Sequence, residues 1–309
     1  APALVFVAFY CIGGVLYNNF FSLRVFLDLF TDNSFLGLAA VGMTVVIISG
    51  GIDLSVGSVV STTAMLIAWL TIREVPPAAT IPLALAFGTL LGLFMGWVIQ
   101  YFEAPPFIVT LAGMFFARGV GYVLSLSSIP INHPFFTYLS QAGLRIGRAK
   151  LTVLAMLFLG MVLVTAFLLK QTKFGRTVFA MGGNEQSAFF MGLPVARTKI
   201  LIYTFSGFTA GVGGICLALY TLAGYGQAGI GMELNAIASV VIGGSLLTGG
   251  YGTVFGTVVG VSIQGLIQTL ITFQGTLNVY WTRIFIGTLL FVFIVLQRVF
   301  VVGAGRGKK

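Results

Sequence analysis

Side chains able to do chemistry are scarce in this sequence. Its 309 residues hold one histidine, two cysteines and seven carboxylates. His133 stands next to Pro134 in a polar stretch, with no second ligand-type residue at coordinating spacing, so no metal site is expected. Cys11 and Cys216 lie far apart inside apolar runs and are expected to be small core residues without a disulfide. No nucleophile and base can be paired from so few groups, which argues against an enzyme. The runs MGGNEQ and IGGSLLTGG lack the lysine of a GxxxxGK[ST] phosphate loop. The chain is therefore expected to bind no cofactor, and any energy from ATP has to come from a partner.

A few charges stand where charges are costly. Asp53, in the break GGID between two apolar runs, can cap the helix that follows or line a polar gate. Arg118, inside the apolar run GMFFARGVGYVL, can pair with an acid such as Asp53 or face a hydrated pathway. Glu233 and Asn235 precede a short apolar segment and are expected in a solvated loop on the outer side. One long polar island, residues 170–199, carries Lys170, Lys173, Arg176, Arg197 and Lys199 against the single acid Glu185. Its middle reads as a short amphipathic helix with Phe189, Phe190 and Met191 beside Glu185, Gln186 and Ser187, a docking element for a cytoplasmic partner.

The elements that must position these residues are membrane spans. The chain is 58% hydrophobic and 7% charged, where a soluble domain carries about 25% charged residues. With roughly 20 apolar residues per span, the length allows about ten spans in a single transmembrane domain over residues 1–309, all-α in fold class. The expected segments are 1–17, 34–50, 54–71, 81–101, 107–126, 151–169, 200–223, 236–247, 253–273 and 280–301. The net charge of +9 is spread over loops and the tail Arg306, Lys308 and Lys309, the pattern of positive-inside topology rather than of a nucleic-acid groove. Six segments before the island and four after it put both termini with it on the cytoplasmic side. The chain opens on an apolar run without Met, so a trimmed native N-terminus is expected, with no signal-peptide pattern.

Glycines punctuate these spans. Gly88, Gly92 and Gly96, then Gly207 and Gly211, then Gly252, Gly256 and Gly260 form stripes that let helices approach closely, expected to pack inside the chain. The segment pair around GGID matches the pair around TGGYG, which points to an inverted repeat of five plus five spans.

The stretches GGIDLSVGSVV (Gly50–Val60), GRTVFAMGGNEQSAFFMG (Gly175–Gly192) and ASVVIGGSLLTGGYGTVFGT (Ala238–Thr257) together resemble the signatures of bacterial sugar ABC importer permeases, the ribose/xylose/galactose group. The resemblance covers the whole chain. SIPINHP (Ser128–Pro134) and GTLNVYWTRIFIGTLLFVFIVLQR (Gly275–Arg298) are most similar to permeases of galactofuranose importers. The resemblance implies an inner-membrane machine. Two different permease subunits pair in it, a fused double ATPase holding ATP and Mg docks on their cytoplasmic loops, and a periplasmic binding protein delivers the sugar. It places the coupling helix on Glu185 to Gly192, with Glu185, Gln186, Phe189, Phe190 and Gly192 as contacts. Phe189 and Phe190 stand where such permeases often have smaller residues. Thr44, Ser49, Asp53, Thr110 and Arg118 are then expected along the sugar pathway or its gate, and Glu233 and Asn235 toward the binding protein. The rivals are a proton-coupled carrier working through Asp53 and Arg118, a membrane-embedded transferase, and a permease whose own pathway is vestigial.

Overall fold

A chain this apolar has to satisfy its backbone polar groups internally, and helices do so within one segment. The computed structural model describes residues 2–275 and 280–306, apart from the side chains of 294 and 296–306. The end of the basic tail, 307–309, lies outside the described residues, as does 276–279. Helix α1 (Pro2–Leu16) leads to α2 (Leu23–Asp32), an amphipathic helix capped by Ser22, whose Oγ accepts from Val25 N at 3.2 Å. It meets α3 (Ser34–Ile48) at a 61° bend, and α4 (Val56–Thr71) follows the GGID break. Both α5 (Pro77–Tyr101) and α6 (Pro106–Leu124) start at proline, whose missing N–H costs nothing in a first turn.

The connection 127–150 is built rather than loose. It holds β1 (Ile129–Pro130), α7 (Pro134–Gln141), and most of a hairpin of β2 (Gly143–Ile146) with β3 (Ala149–Thr152). His133 caps α7, its Nδ1 accepting from Phe135 N at 3.2 Å. Next come α8 (Val153–Gln171), α9 (Lys173–Gly183), α10 (Glu185–Phe190) and α11 (Val195–Thr221). The chain closes with β4 (Ala223–Gly224), which pairs antiparallel with β1, then α12 (Met232–Ile242), α13 (Val254–Gln274) and α14 (Tyr280–Arg306).

Each of the ten expected apolar segments falls on one helix. Five of them, α5, α6, α8, α11 and α13, are long and apolar enough to cross a bilayer alone, and α2 with α3 forms a bent sixth. The shorter apolar helices are α1, α4, α12 and α14 over Tyr280–Phe293. The protein is an all-helical, multi-pass membrane protein. At 1.5 Å per residue α12 covers only about 16 Å. Residues 222–231 descend to it in irregular form beside α4 and α6. A Cβ at Gly224 would lie 2.8 Å from Ala64 O, and one at Gly229 2.0 Å from Gly57 O. Irregular backbone is tolerated at membrane depth where protein surrounds it.

Helix α11 is the axis of the molecule, with every residue from Thr209 to Leu219 buried. It packs on α5 through the expected glycine stripes. A Cβ at Gly92 would lie 2.3 Å from Tyr203 O, and one at Gly207 2.2 Å from Gly88 O. The stripe on α13 likewise faces α12, since a Cβ at Gly260 would meet Ser239 O at 1.9 Å. Where backbones come this close, only glycine fits, and the helices gain dispersion contacts along their whole length. On the other side of α11, Gly213 lies against Phe35 and Val60, while Gly51 lies against Tyr203. Thus α3 runs down α11 toward α10 and α4 runs back up. Ser206, the residue level with Asp53, is about 16 Å along α11 from Val195 at 1.5 Å per residue. The GGID break therefore sits well inside the helical body.

Candidate functional site

The two glycine breaks are in contact with each other. Gly250 N, in TGGYG, donates to Ile48 O, the last residue of α3, at 2.8 Å. The turns around that bond use positive φ at Gly50 (86°), Gly249 (84°) and Gly250 (77°), a region that a side chain strains. The end of α9 is wedged onto the same point. A Cβ at Gly182 would lie 1.9 Å from Ile48 O and 2.3 Å from Gly250 N, while one at Gly183 would meet nothing within 4 Å. Gly182 thus rests its bare Cα on the joint between α3 and α13.

From that joint the polar island continues into α10. Asn184 caps it, Oδ1 accepting from Ser187 N at 2.8 Å, and Gly192 ends it at φ 75°. Gly192 N donates to Phe189 O at 2.9 Å and Leu193 N to Ala188 O at 3.2 Å, closing the helix end as a left-handed glycine cap does. Ala188 is the one buried residue of α10. Phe189 and Phe190 are 64% and 83% exposed, and Met191 68%, so the helix turns an apolar edge outward. Two such residues on a six-residue helix, with Met191 just past its end, have no packing reason among the described residues, and exposed apolar clusters mark contact surfaces. Glu185 pairs with Lys199 on the first turns of α11, pinning α10 to the central helix. A cavity of about 440 Å³ runs from Glu185, Lys199 and Gln100 to Ser49, Gly50 and Gly51 at the break, with a neighbouring one of about 510 Å³ beside Gln186, Phe189 and Phe190.

Of the residues expected on the pathway, Ser49 alone opens on these cavities. Thr44, Asp53 and Thr110 are fully enclosed in this conformation. Thr44 Oγ1 lies 2.7 Å from Thr257 Oγ1 and joins α3 to α13. Thr110 Oγ1 donates to Pro106 O at 2.9 Å and lies 3.3 Å from Ile52 O. Asp53 Oδ1 accepts from Ser55 N at 2.9 Å and Ser55 Oγ at 2.7 Å, and its Oδ2 accepts from Ser206 Oγ at 2.7 Å. It therefore fixes the first turn of α4 and ties the break to α11, which accounts for an acid at that depth.

Two expectations change. Arg118 is not brought to Asp53; its Nη2 lies 3.8 Å from Glu233 Oε1. Glu233 is not in a solvated loop but in the first turn of α12, buried against Gly57. The reason is the descent of 222–231, which carries the start of α12 down into the protein, where an acid needs a partner. Asn235 lines a separate cavity at the far end of α11. Sequence reasoning missed Gly182, Lys199, Tyr203 and Ser206. The Gly pair MGG inside a polar loop was the available signal for the first. The others depend on pairings across 14 to 153 residues, which no local pattern contains.

Comparison with known proteins bears on this arrangement. Residues 25–294 match the family described as branched-chain amino acid transport system / permease component. The inner membrane ABC transporter permease protein YjfF of Escherichia coli K12 is 51% identical over 95% of this chain and 89% of its own length. The fructose import permease protein FruG of Bifidobacterium longum is 36% identical over 100% of this chain and 92% of its own. The ribose import permease protein RbsC of Escherichia coli K12 is 34% identical over 85% of this chain and 82% of its own. No solved structure matches the chain significantly. The chain belongs to the family of membrane permease components described as branched-chain amino acid transport system / permease component, and is a transport subunit rather than an enzyme.

Proposed function

We propose that this chain is a transmembrane permease subunit of an ATP-driven sugar importer of the bacterial inner membrane, and that its sugar is galactofuranose. The sugar class is supported by relatives named as ribose and fructose import permeases. The choice of galactofuranose rests on the resemblance of Ser128–Pro134 and Gly275–Arg298 noted above. The partners are a second, different permease subunit, a fused double ATPase carrying ATP and Mg, and a periplasmic sugar-binding protein. The termini and α10 face the cytoplasm, as the basic island requires. The binding protein docks over the opposite end of α11, next to the cavity that Asn235 lines. A proton-coupled carrier is the weaker reading, because Asp53 is held by Ser55 and Ser206 and Arg118 lies beside Glu233 rather than beside Asp53.

One observation carries the proposal. The outward apolar edge of α10 is covalently continuous with α9, whose Gly182 touches both glycine breaks at once. A push on Phe189 and Phe190 by a closing ATPase therefore reaches the joint of α3 and α13 through about one helical element. When the breaks separate, Thr44, Asp53 and Thr110 become lining residues and Ser49 continues the path toward the cytoplasm. The test is co-purification with the ATPase. Phe189→Asp with Phe190→Asp is expected to abolish assembly while leaving thermal stability unchanged, since both rings are exposed. Retained assembly and normal uptake in that variant overturn the proposal.

A further inference from the structure

A cavity of about 690 Å³ lies at the end of α11 remote from α10, apart from the glycine breaks. Its walls come from α2, the start of α3, the end of α11, the descent to α12, and α13. Half of its lining residues carry polar side chains. Among them are Asp28, Asp32, Asn235 and Gln268, all groups that accept or donate two hydrogen bonds in a plane. Tyr220 donates to Asp32 Oδ1 at 3.3 Å and its ring lies 5.7 Å from that of Phe35, so an aromatic wall stands beside the carboxylate. Arg24 is engaged with Asp28 at 3.6 Å, which leaves the lining with a surplus negative charge. On α13 the polar face continues inward. Gln264, one turn from Gln268, is buried, donates its amide to Asn235 O at 3.0 Å, and has no partner for Oε1 among the described residues.

Such a lining is costly against lipid tails and belongs to a hydrated cavity. Paired planar acceptors and donors beside aromatic faces match vicinal hydroxyls and C–H faces, the chemistry of a neutral polyol. The surplus carboxylate disfavours an anion. The volume falls in the range of about 300–1,000 Å³ typical of small-molecule sites. We propose that this cavity is an acceptor site for a neutral monosaccharide, the first site on the permease that the sugar meets, with Asp32, Asn235, Gln268 and Tyr220 as its contacts. This rests on the importer reading above and adds the place where sugar is handed over.

The experiment uses the assembled transporter in nanodiscs. Thr272→Cys, at a residue that lines the cavity without being one of the four contacts, is introduced with Cys11→Ser, because Cys11 is exposed whereas Cys216 is buried. Labelling by a polar maleimide is followed with methyl β-D-galactofuranoside, D-ribose or glucose 6-phosphate present, and sugar-stimulated ATP hydrolysis is measured on the same samples. The expected result is labelling slowed threefold or more by a neutral sugar and unchanged by glucose 6-phosphate. Asp32→Asn is expected to raise the KM of uptake at least fivefold with kcat nearly unchanged, the signature of lost ground-state binding. Labelling unaffected by any sugar, with ATP hydrolysis still stimulated, overturns the acceptor site and leaves the importer reading intact. Protection by glucose 6-phosphate equal to that by neutral sugars also overturns it, as does protection by added phosphatidylethanolamine alone, which assigns the cavity to a lipid headgroup. Absence of any sugar-stimulated hydrolysis counts instead against the importer reading on which the site rests.

Discussion

Replacing Gly182 with alanine tests the joint between α9 and the two breaks with a single methyl group. That methyl would lie 1.9 Å from Ile48 O and 2.3 Å from Gly250 N, the two ends of a 2.8 Å hydrogen bond. Ordinary carbon–oxygen contact begins near 3.4 Å, so α9 has to move off by about 1.5 Å or the bond has to open. Overpacking of this kind costs about 1–3 kcal/mol. Opening the bond instead costs about 1–3 kcal/mol, and the better helix propensity of alanine returns at most about 1 kcal/mol. A net loss of about 1–2 kcal/mol follows. Gly183→Ala is the control, with the same chemistry one residue on and nothing within 4 Å. The two variants are compared by thermal unfolding and by sugar taken up per ATP hydrolysed in proteoliposomes. Gly182→Ala is expected to unfold earlier and to transport less per ATP, since about 1.4 kcal/mol of strain falling on one of two states shifts their ratio tenfold. Gly183→Ala is expected to match the parent protein. Equal stability and equal coupling in the two variants refute the argument that Gly182 bears on the breaks.

Other outcomes follow from the buried polar groups. Arg118→Met alone leaves Glu233 charged and unpaired, with an expected loss of about 3–5 kcal/mol, while Arg118→Met with Glu233→Leu is expected to restore most of it; a double-mutant cycle in thermal unfolding reads the difference. Asp53→Ala removes acceptors for three donors and should cost about 2–4 kcal/mol, with Asp53→Asn losing less because one oxygen remains to hold Ser55 or Ser206. Gly192→Ala places a side chain at φ 75° and is expected to cost about 1 kcal/mol, read as a lower melting temperature with ATPase assembly retained.

Much of this architecture is legible because lipid leaves the chain few choices. Apolar runs near 20 residues become helices, and small residues at four-residue spacing become helix contacts; Gly88, Gly92 and Gly96 against α11 are an instance. The basic island and its apolar edge stand out because nothing else in the chain is so polar. Depth is what sequence does not carry. Glu233 reads as the end of a loop, yet the chain folds inward before α12 begins, and the acid meets Arg118 from 115 residues earlier in the sequence. Asp53 reads as a helix cap before it reads as a gate, and its tie to α11 stays hidden because Ser206 lies on a helix 153 residues away. The polar face of α13, Gln264, Gln268 and Thr272 at four-residue spacing, acquires a partner only when α2 and the end of α11 are folded against it.

The most direct test of the sugar-importer account is ATP hydrolysis by the reconstituted assembly in lipid, with binding protein loaded in turn with galactofuranose, ribose, galactopyranose and fructose. The account predicts hydrolysis stimulated by loaded over empty binding protein, strongest with the furanose form of galactose, and lost in Phe189→Asp with Phe190→Asp. Failure of this chain to assemble with any ATPase, together with uptake that collapses when the proton gradient is dissipated, contradicts it.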